Sequence, residues 1–339
     1  NHGGGVLFLP EGKYRINGTL VIPKGITLRG DWKKPIKGEA ITGTILMAYS
    51  GKGDVNGTPF ITMEPAAAVM DLAIWYPEQD ANNISAYPHT IQFGKPNYFG
   101  NEFCNAKNIT LVNAYSGIYF YQGGGTCPTI NGIYGTPLKK GVEIDRIVDI
   151  GRIEWCDFSP AYWAGSGLTG APSLSNTTYT NWLYNNGTGI VMRRNDWSYT
   201  CYLTVDGYNK GFHALQSLQA DNGYYSTPNG HNYGFNFTNC KYGLYFEGRT
   251  GEGMMFTEVT TNGCEYAAYI GANAGGVLQL YKWNITATAS HRALFSDKTA
   301  STKITFQESS IHGGRVQLQG GTFIASDNDF NSDLPIDTH

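Results

Sequence analysis

Residues 235–272 carry one pattern twice, and no other feature constrains the fold as much. The first copy reads Phe235-Asn-Phe-Thr-Asn-Cys240-Lys-Tyr-Gly-Leu-Tyr-Phe-Glu-Gly248 and the second Thr261-Asn-Gly-Cys264-Glu-Tyr-Ala-Ala-Tyr-Ile-Gly-Ala272. Cys240 falls on Cys264, Tyr242 on Tyr266, Tyr245 on Tyr269 and Phe246 on Ile270, all at an offset of 24 residues. A period of that length, built from short apolar alternations, marks a solenoid: one repeat cannot bury its own apolar face and must stack on the next. The heart of the repeat is a small residue followed by apolar, any, apolar. It recurs as Gly117-Ile-Tyr-Phe120, Gly141-Val-Glu-Ile144, Gly189-Ile-Val-Met192 and Gly211-Phe-His-Ala214, and Gly243 and Ala267 continue it. Successive spacings are 24, 48, 22, 32 and 24. The 48 is either two coils or one coil with a long excursion.

A strand period of two fixes the side-chain directions. The first and third residues after the small one are apolar throughout: Ile118/Phe120, Val142/Ile144, Ile190/Met192, Phe212/Ala214, Leu244/Phe246 and Ala268/Ile270. These should stack inward. The second and fourth are Tyr119/Tyr121, Glu143/Asp145, Val191/Arg193, His213/Leu215, Tyr245/Glu247 and Tyr269/Gly271. These should form one outer wall, with coils roughly 4.8 Å apart.

Charged residues are 15% of the chain, below the usual roughly one quarter. A net charge of −3 and a pI near 6.2 leave no basic footprint for nucleic acid. No apolar run approaches the roughly 20 residues that span a bilayer. No cysteine pattern has zinc spacing, and no metal site is read from the chain. Cys240 and Cys264, on adjacent coils, are expected to stack as free thiols rather than bond. Two polar stretches, 164–187 and 219–232, read as long loops, and no amphipathic helix of more than three turns is evident.

The opening, a glycine run followed by Val6-Leu-Phe-Leu-Pro-Glu-Gly12-Lys-Tyr14 and later Ile22-Pro-Lys-Gly25, resembles the first coils of the pectate-lyase-like superfamily. That resemblance implies a single-stranded right-handed parallel β-helix with long loop insertions, one all-β domain over residues 1–339. The superfamily's capping helix would precede the glycine run, so the chain is expected to be a piece of a longer or trimmed polypeptide, with further domains or a homo-oligomer as its surroundings. Residues 132–163 are similar to a segment of bacterial pectate-lyase-like proteins related to β-helical glycoside hydrolases. The polygalacturonase set Asn-Thr-Asp, Asp-Asp, Gly-His-Gly and Arg-Ile-Lys is missing, so no catalytic residue is carried over. The resemblance implies a secreted, extracellular or cell-surface protein whose partner is a polysaccharide or oligosaccharide.

Three functions compete. Glycoside hydrolysis needs two carboxyls, one to protonate the leaving oxygen and one to activate water or attack. Glu143 and Asp145, two apart on one strand face, should have Cα atoms roughly 6–7 Å apart. If the 189–192 coil follows directly, Arg193 should hold Asp145 ionised and leave Glu143 the better acid. Glu154, Asp157 and Glu247 are the reserve acids. Tyr119, Tyr121, Tyr245, Tyr269 and Trp197 are candidate sugar platforms, with Arg193 and His213 as polar contacts. A hydrolase of this kind needs no cofactor. A polysaccharide lyase would use Arg193, His213 or a lysine as base, with Ca²⁺ or arginine neutralising a uronate. A non-catalytic binding solenoid, of the tailspike or adhesin type, would need only the aromatics.

Overall fold

The computed structural model describes residues 3–94, 102–120, 125–220, 223–224, 226–330 and 336–338. Two long sheets run the length of the chain, and every paired strand in them is parallel to its neighbour. The 12-stranded sheet passes in order from Leu20–Ile22 through Ser116–Phe120, Lys140–Ile144, Thr188–Met192, Lys210–Ala214, Tyr242–Phe246 and Tyr266–Ile270 to Ile336–Thr338. The 16-stranded sheet takes the intervening strands, among them Thr129–Gly135, Arg152–Phe158, Asn195–Asp206, Pro228–Thr238, Arg249–Asn262 and Gly275–Thr286. This is an all-β parallel β-helix.

The register is the one the repeat implies. Ile118 pairs with Val142, Val142 with Ile190, Ile190 with Phe212, Phe212 with Leu244 and Leu244 with Ala268. All six are at most 1% exposed, so the inward column is the core. Val142 meets Ile190 directly, so the 48-residue spacing is one coil with a long excursion. The small residues have a steric reason. A Cβ on Gly117 would lie 2.2 Å from the Gly141 carbonyl, and one on Gly141 2.5 Å from that of Gly189.

That excursion corrects one expectation. Stretch 164–187 is not a bare loop: Thr177–Asn186 is a helix, opened by Asn176, whose side chain accepts from the Tyr179 amide at 3.2 Å. Its Thr, Tyr, Trp and Asn are middling or poor helix formers. Buried Tyr179 and Leu183 anchor it to the coils instead. The six cysteines are free, Cys240 and Cys264 among the buried ones. The small-residue column also extends to Arg292–Ser296, where Ala293 stands at the glycine position and Ser296 replaces the second apolar residue.

The long strands of the 16-stranded sheet each turn a corner at a left-handed residue. Register stacks these into a file: Asp71, Asn108, Gly132, Trp155, Tyr202, Gly234, Glu258, Lys282 and Glu308, all at positive φ. The basic excursion 31–43 lies along the same side of the helix. Trp32 Nε1 donates to Thr110 Oγ1 at 2.8 Å, Lys37 Nζ meets Asp157 Oδ1 at 2.7 Å, and the Gly38 amide donates to the Ala161 carbonyl at 3.2 Å.

Candidate active site on the 12-stranded sheet

The outer wall holds Gln92, Tyr119, Glu143, Val191, His213, Tyr245, Tyr269 and Phe295 in one column. The column beside it starts at Asp145 and continues through Arg193, Leu215 and Glu247, joined by the Arg193 amide on the Ile144 carbonyl and the Leu215 amide on that of Met192. Tyr121 lies outside the described residues.

A third column was not anticipated. His89, Ser116, Lys140, Thr188, Lys210, Tyr242, Tyr266 and Arg292 stand just before the small residue. Strict alternation turns that position inward. The close approach at the glycine interrupts the alternation, so two successive residues are buried and the one before them faces out, as in Lys210–Ala214. The signal was the residue type: a file containing lysine, arginine and tyrosine does not fit a core.

These columns bring together two clusters. In the first, Glu143 is almost fully buried, with Lys140 Nζ at 2.5 Å, Arg193 Nε at 2.9 Å and His89 Nε2 at 3.4 Å from its carboxylate oxygens. Burial alone would raise its pKa, but the His89 and Lys140 contacts outweigh it and hold the carboxyl well below the usual carboxylate range. Asp145 is also buried. Its Oδ2 accepts from the Leu218 amide at 2.9 Å, and Oδ1 has no hydrogen-bond partner among the described residues. Burial pushes the Asp145 carboxyl up against the opposing pull of that amide, Ser217 and Arg193. The expected division of labour is therefore reversed. Arg193 lies in Asp145's column, yet its Nε donates to Glu143 and its Nη1 to the Gln216 carbonyl at 2.9 Å.

In the second cluster, His213 Nε2 lies 2.7 Å from Glu247 Oε2. Burial pushes the imidazole pKa down, and the Glu247 hydrogen bond only partly offsets this. Glu247 is held low, first by that hydrogen bond, against its own burial. A neutral imidazole beside a carboxylate has one consistent arrangement: Nε2–H donates and the Nδ1 lone pair is left available. Lys210 stands alongside, its Nζ 5.0 Å from the Tyr245 ring centre, with its pKa lowered by burial against the pull of Glu247. Burial and the neighbouring Glu247 keep the Tyr245 phenol protonated far into the alkaline range.

The remaining candidates are placed as follows. Tyr119 is buried and stacks on His89, centroids 4.5 Å apart. Tyr245, Tyr269 and Phe295 stack on one another at 4.7 and 4.8 Å, so their ring faces are largely taken up by their neighbours. Glu154, Asp157 and Trp197 are on the 16-stranded sheet and do not join this site. Glu154 accepts from Asn131 at 2.9 Å, and Asp157 pairs with Lys37. Trp197, 52% exposed, sits on a β-bulge between Asn195 and Ser198. Among the described residues no group of three or more His, Cys, Asp or Glu is arranged to hold a metal ion. The chain matches no family model, no curated protein and no solved structure.

Proposed function

We propose that this is a carbohydrate-active β-helix of the pectate-lyase-like kind, cleaving an acidic extracellular polysaccharide by β-elimination at His213. The observation that carries this reading is the part-buried His213–Glu247 pair, 2.7 Å apart, on the same outer wall as Arg193 and Lys210; burial lowers the imidazole pKa and so favours its neutral form. A base for C5–H abstraction must be unprotonated near neutral pH and held in one tautomer. Burial and Glu247 supply both conditions. His213 Nδ1 takes the C5 proton, the C–H electrons become the C4–C5 double bond, and the C4–O bond breaks. The departing oxygen takes a proton from the Tyr245 phenol, whose ring centre is 4.9 Å from that of His213. Negative charge developing on the uronate is met by Arg193 and Lys210. No step is drawn through Ca²⁺, since among the described residues no group of three or more His, Cys, Asp or Glu is arranged to hold a metal ion.

Hydrolysis is the second reading. It rests on the opposed shifts of Glu143 and Asp145, since neighbouring carboxyls with divergent pKa values are the usual sign of an acid and a base. It is weakened by burial of both groups and by the ion pairs that occupy both Glu143 oxygens. Incubation with polygalacturonate, alginate and glucuronan separates the readings. Elimination produces unsaturated-uronide absorbance and reducing ends in step, whereas hydrolysis produces reducing ends alone. Absence of both products on every polymer would favour a binding solenoid. His213→Gln should lower the unsaturated product by at least about 10²-fold, the effect of losing a general base. Reducing ends without absorbance, unaffected by that change, would overturn the proposal.

A further inference from the structure

The corner file on the 16-stranded sheet contains an anomaly. Left-handed backbone costs an L-residue roughly 1–2 kcal/mol, and glycine, asparagine and aspartate are the usual occupants. Asp71, Asn108, Gly132 and Gly234 conform; Glu258, Lys282 and Glu308 do not, nor do Trp155 and Tyr202, at φ 58° each, which are the two bulky aromatics of the file. Bulky residues held in this region point to a function that keeps them there.

Their surroundings indicate which. The two rings stack with centroids 4.1 Å apart and planes 20° apart. In the file the pair is bordered by Gly132 before Trp155 and Gly234 after Tyr202, so no corner side chain continues the parallel stack; Tyr233, beside Gly234, meets Tyr202 at right angles with centroids 5.6 Å apart. A Cβ on Gly234 would come within 3.0 Å of the Tyr202 ring. Trp155 is 50% exposed and Tyr202 41%. Beside them opens a cleft of about 260 Å³, near the lower end of ligand pockets at roughly 300–1,000 Å³. Its walls add Thr204, Asp157, which pairs with Lys37, and Tyr134, a mostly buried ring with the Lys34 ammonium 5.1 Å over it. Aromatic faces rimmed by a hydroxyl, a carboxylate and an ammonium match a flat ring with C–H groups on its faces and hydroxyls at its edge.

We propose that this corner is a saccharide-binding site, on a different sheet from His213, that takes a pyranose ring of a polysaccharide chain. The inference stands on the cleft's own chemistry and does not require the elimination reading. Titration calorimetry with cello-, xylo-, manno- and galacturono-hexasaccharides tests it in wild type and in Trp155→Ala, Tyr202→Ala and Trp155→Phe. At least one hexasaccharide should bind wild type, lose tenfold or more in affinity with either alanine variant, and keep most of it with phenylalanine. Unchanged affinity in both alanine variants, with their folding verified by circular dichroism, would overturn the proposal. So would binding to none of the four, or concentration-dependent self-association that Trp155→Ala abolishes, which would make the corner an interface between copies. Release of unsaturated product from a short soluble uronide should be unchanged in Trp155→Ala, so failure of this site and failure of the His213 reading give different results.

Discussion

The molecule carries two aromatic arrays, and they are built in opposite senses. On the 12-stranded sheet Tyr245, Tyr269 and Phe295 follow one another on successive coils and cover one another's faces. On the 16-stranded sheet Trp155 and Tyr202 form a stack of two, bordered by glycines and opening on a cleft. Coil spacing near 4.8 Å is too tight to admit a further ring between stacked neighbours. An unbroken ladder therefore contributes chiefly to stability, and a ladder cut short by glycine leaves faces for a ligand. In composition the two arrays look alike. Only their neighbours in register separate them.

The largest effect belongs to the core both arrays rest on. Leu244→Asp or Ile144→Asp would bury an unpaired charge, at a cost of several kcal/mol, and should yield no cooperatively folded protein by calorimetry.

Next come the two buried carboxyls. Glu143→Gln leaves Lys140 and Arg193 without their counter-charge and should destabilise by about 3 kcal/mol in urea unfolding. Asp145→Asn keeps an acceptor for the Leu218 amide and removes a disfavoured charge, so its effect should stay within about 1 kcal/mol. Their pH dependences oppose each other. Glu143 has a folded pKa below its unfolded value, so its stabilisation is complete above about pH 5 and is lost as the pH falls through the acid range. Asp145 has a raised folded pKa; its cost is present at neutral pH and is relieved as the pH falls. Equal losses from the two variants at neutral pH would contradict these assignments.

Stability effects in the arrays test the comparison directly. Tyr269→Ala breaks two stacks and should cost roughly 1–3 kcal/mol. Trp155→Gly loses one stack but also relieves left-handed strain, and should fall within about 1 kcal/mol of wild type. A larger loss from Trp155→Gly than from Tyr269→Ala would reverse the comparison.

Much of the fold was legible because the repeat is. Once Cys240 is set on Cys264, the period of two gives the inward column from Ile118 to Ile270 and the outer column from Tyr119 to Tyr269. The site was legible only in part. His213, Glu247 and Arg193 fall on the predicted wall, but His89, Lys140 and Lys210 were missed because the glycine contact breaks the alternation that would have located them. The ion pairing of Arg193 with Glu143 rather than Asp145 depends on how a long side chain leans across a coil, which spacing does not specify. Trp155 and Tyr202 are 47 residues apart, and their stacking follows from two excursions whose lengths carry no period.

The reading of the 12-stranded sheet depends on the protonation of one side chain. Heteronuclear NMR titration of the His213 imidazole, assigned by comparison with His213→Gln, measures it. The account predicts an Nε2-protonated neutral ring at pH 7, titrating below its ordinary value of 6.5, with the midpoint shifted further down in Glu247→Gln as the carboxylate's support is lost. A midpoint above 6.5, or an Nδ1-protonated neutral ring, whose lone pair would lie on Nε2 against Glu247 instead of on Nδ1, would contradict it.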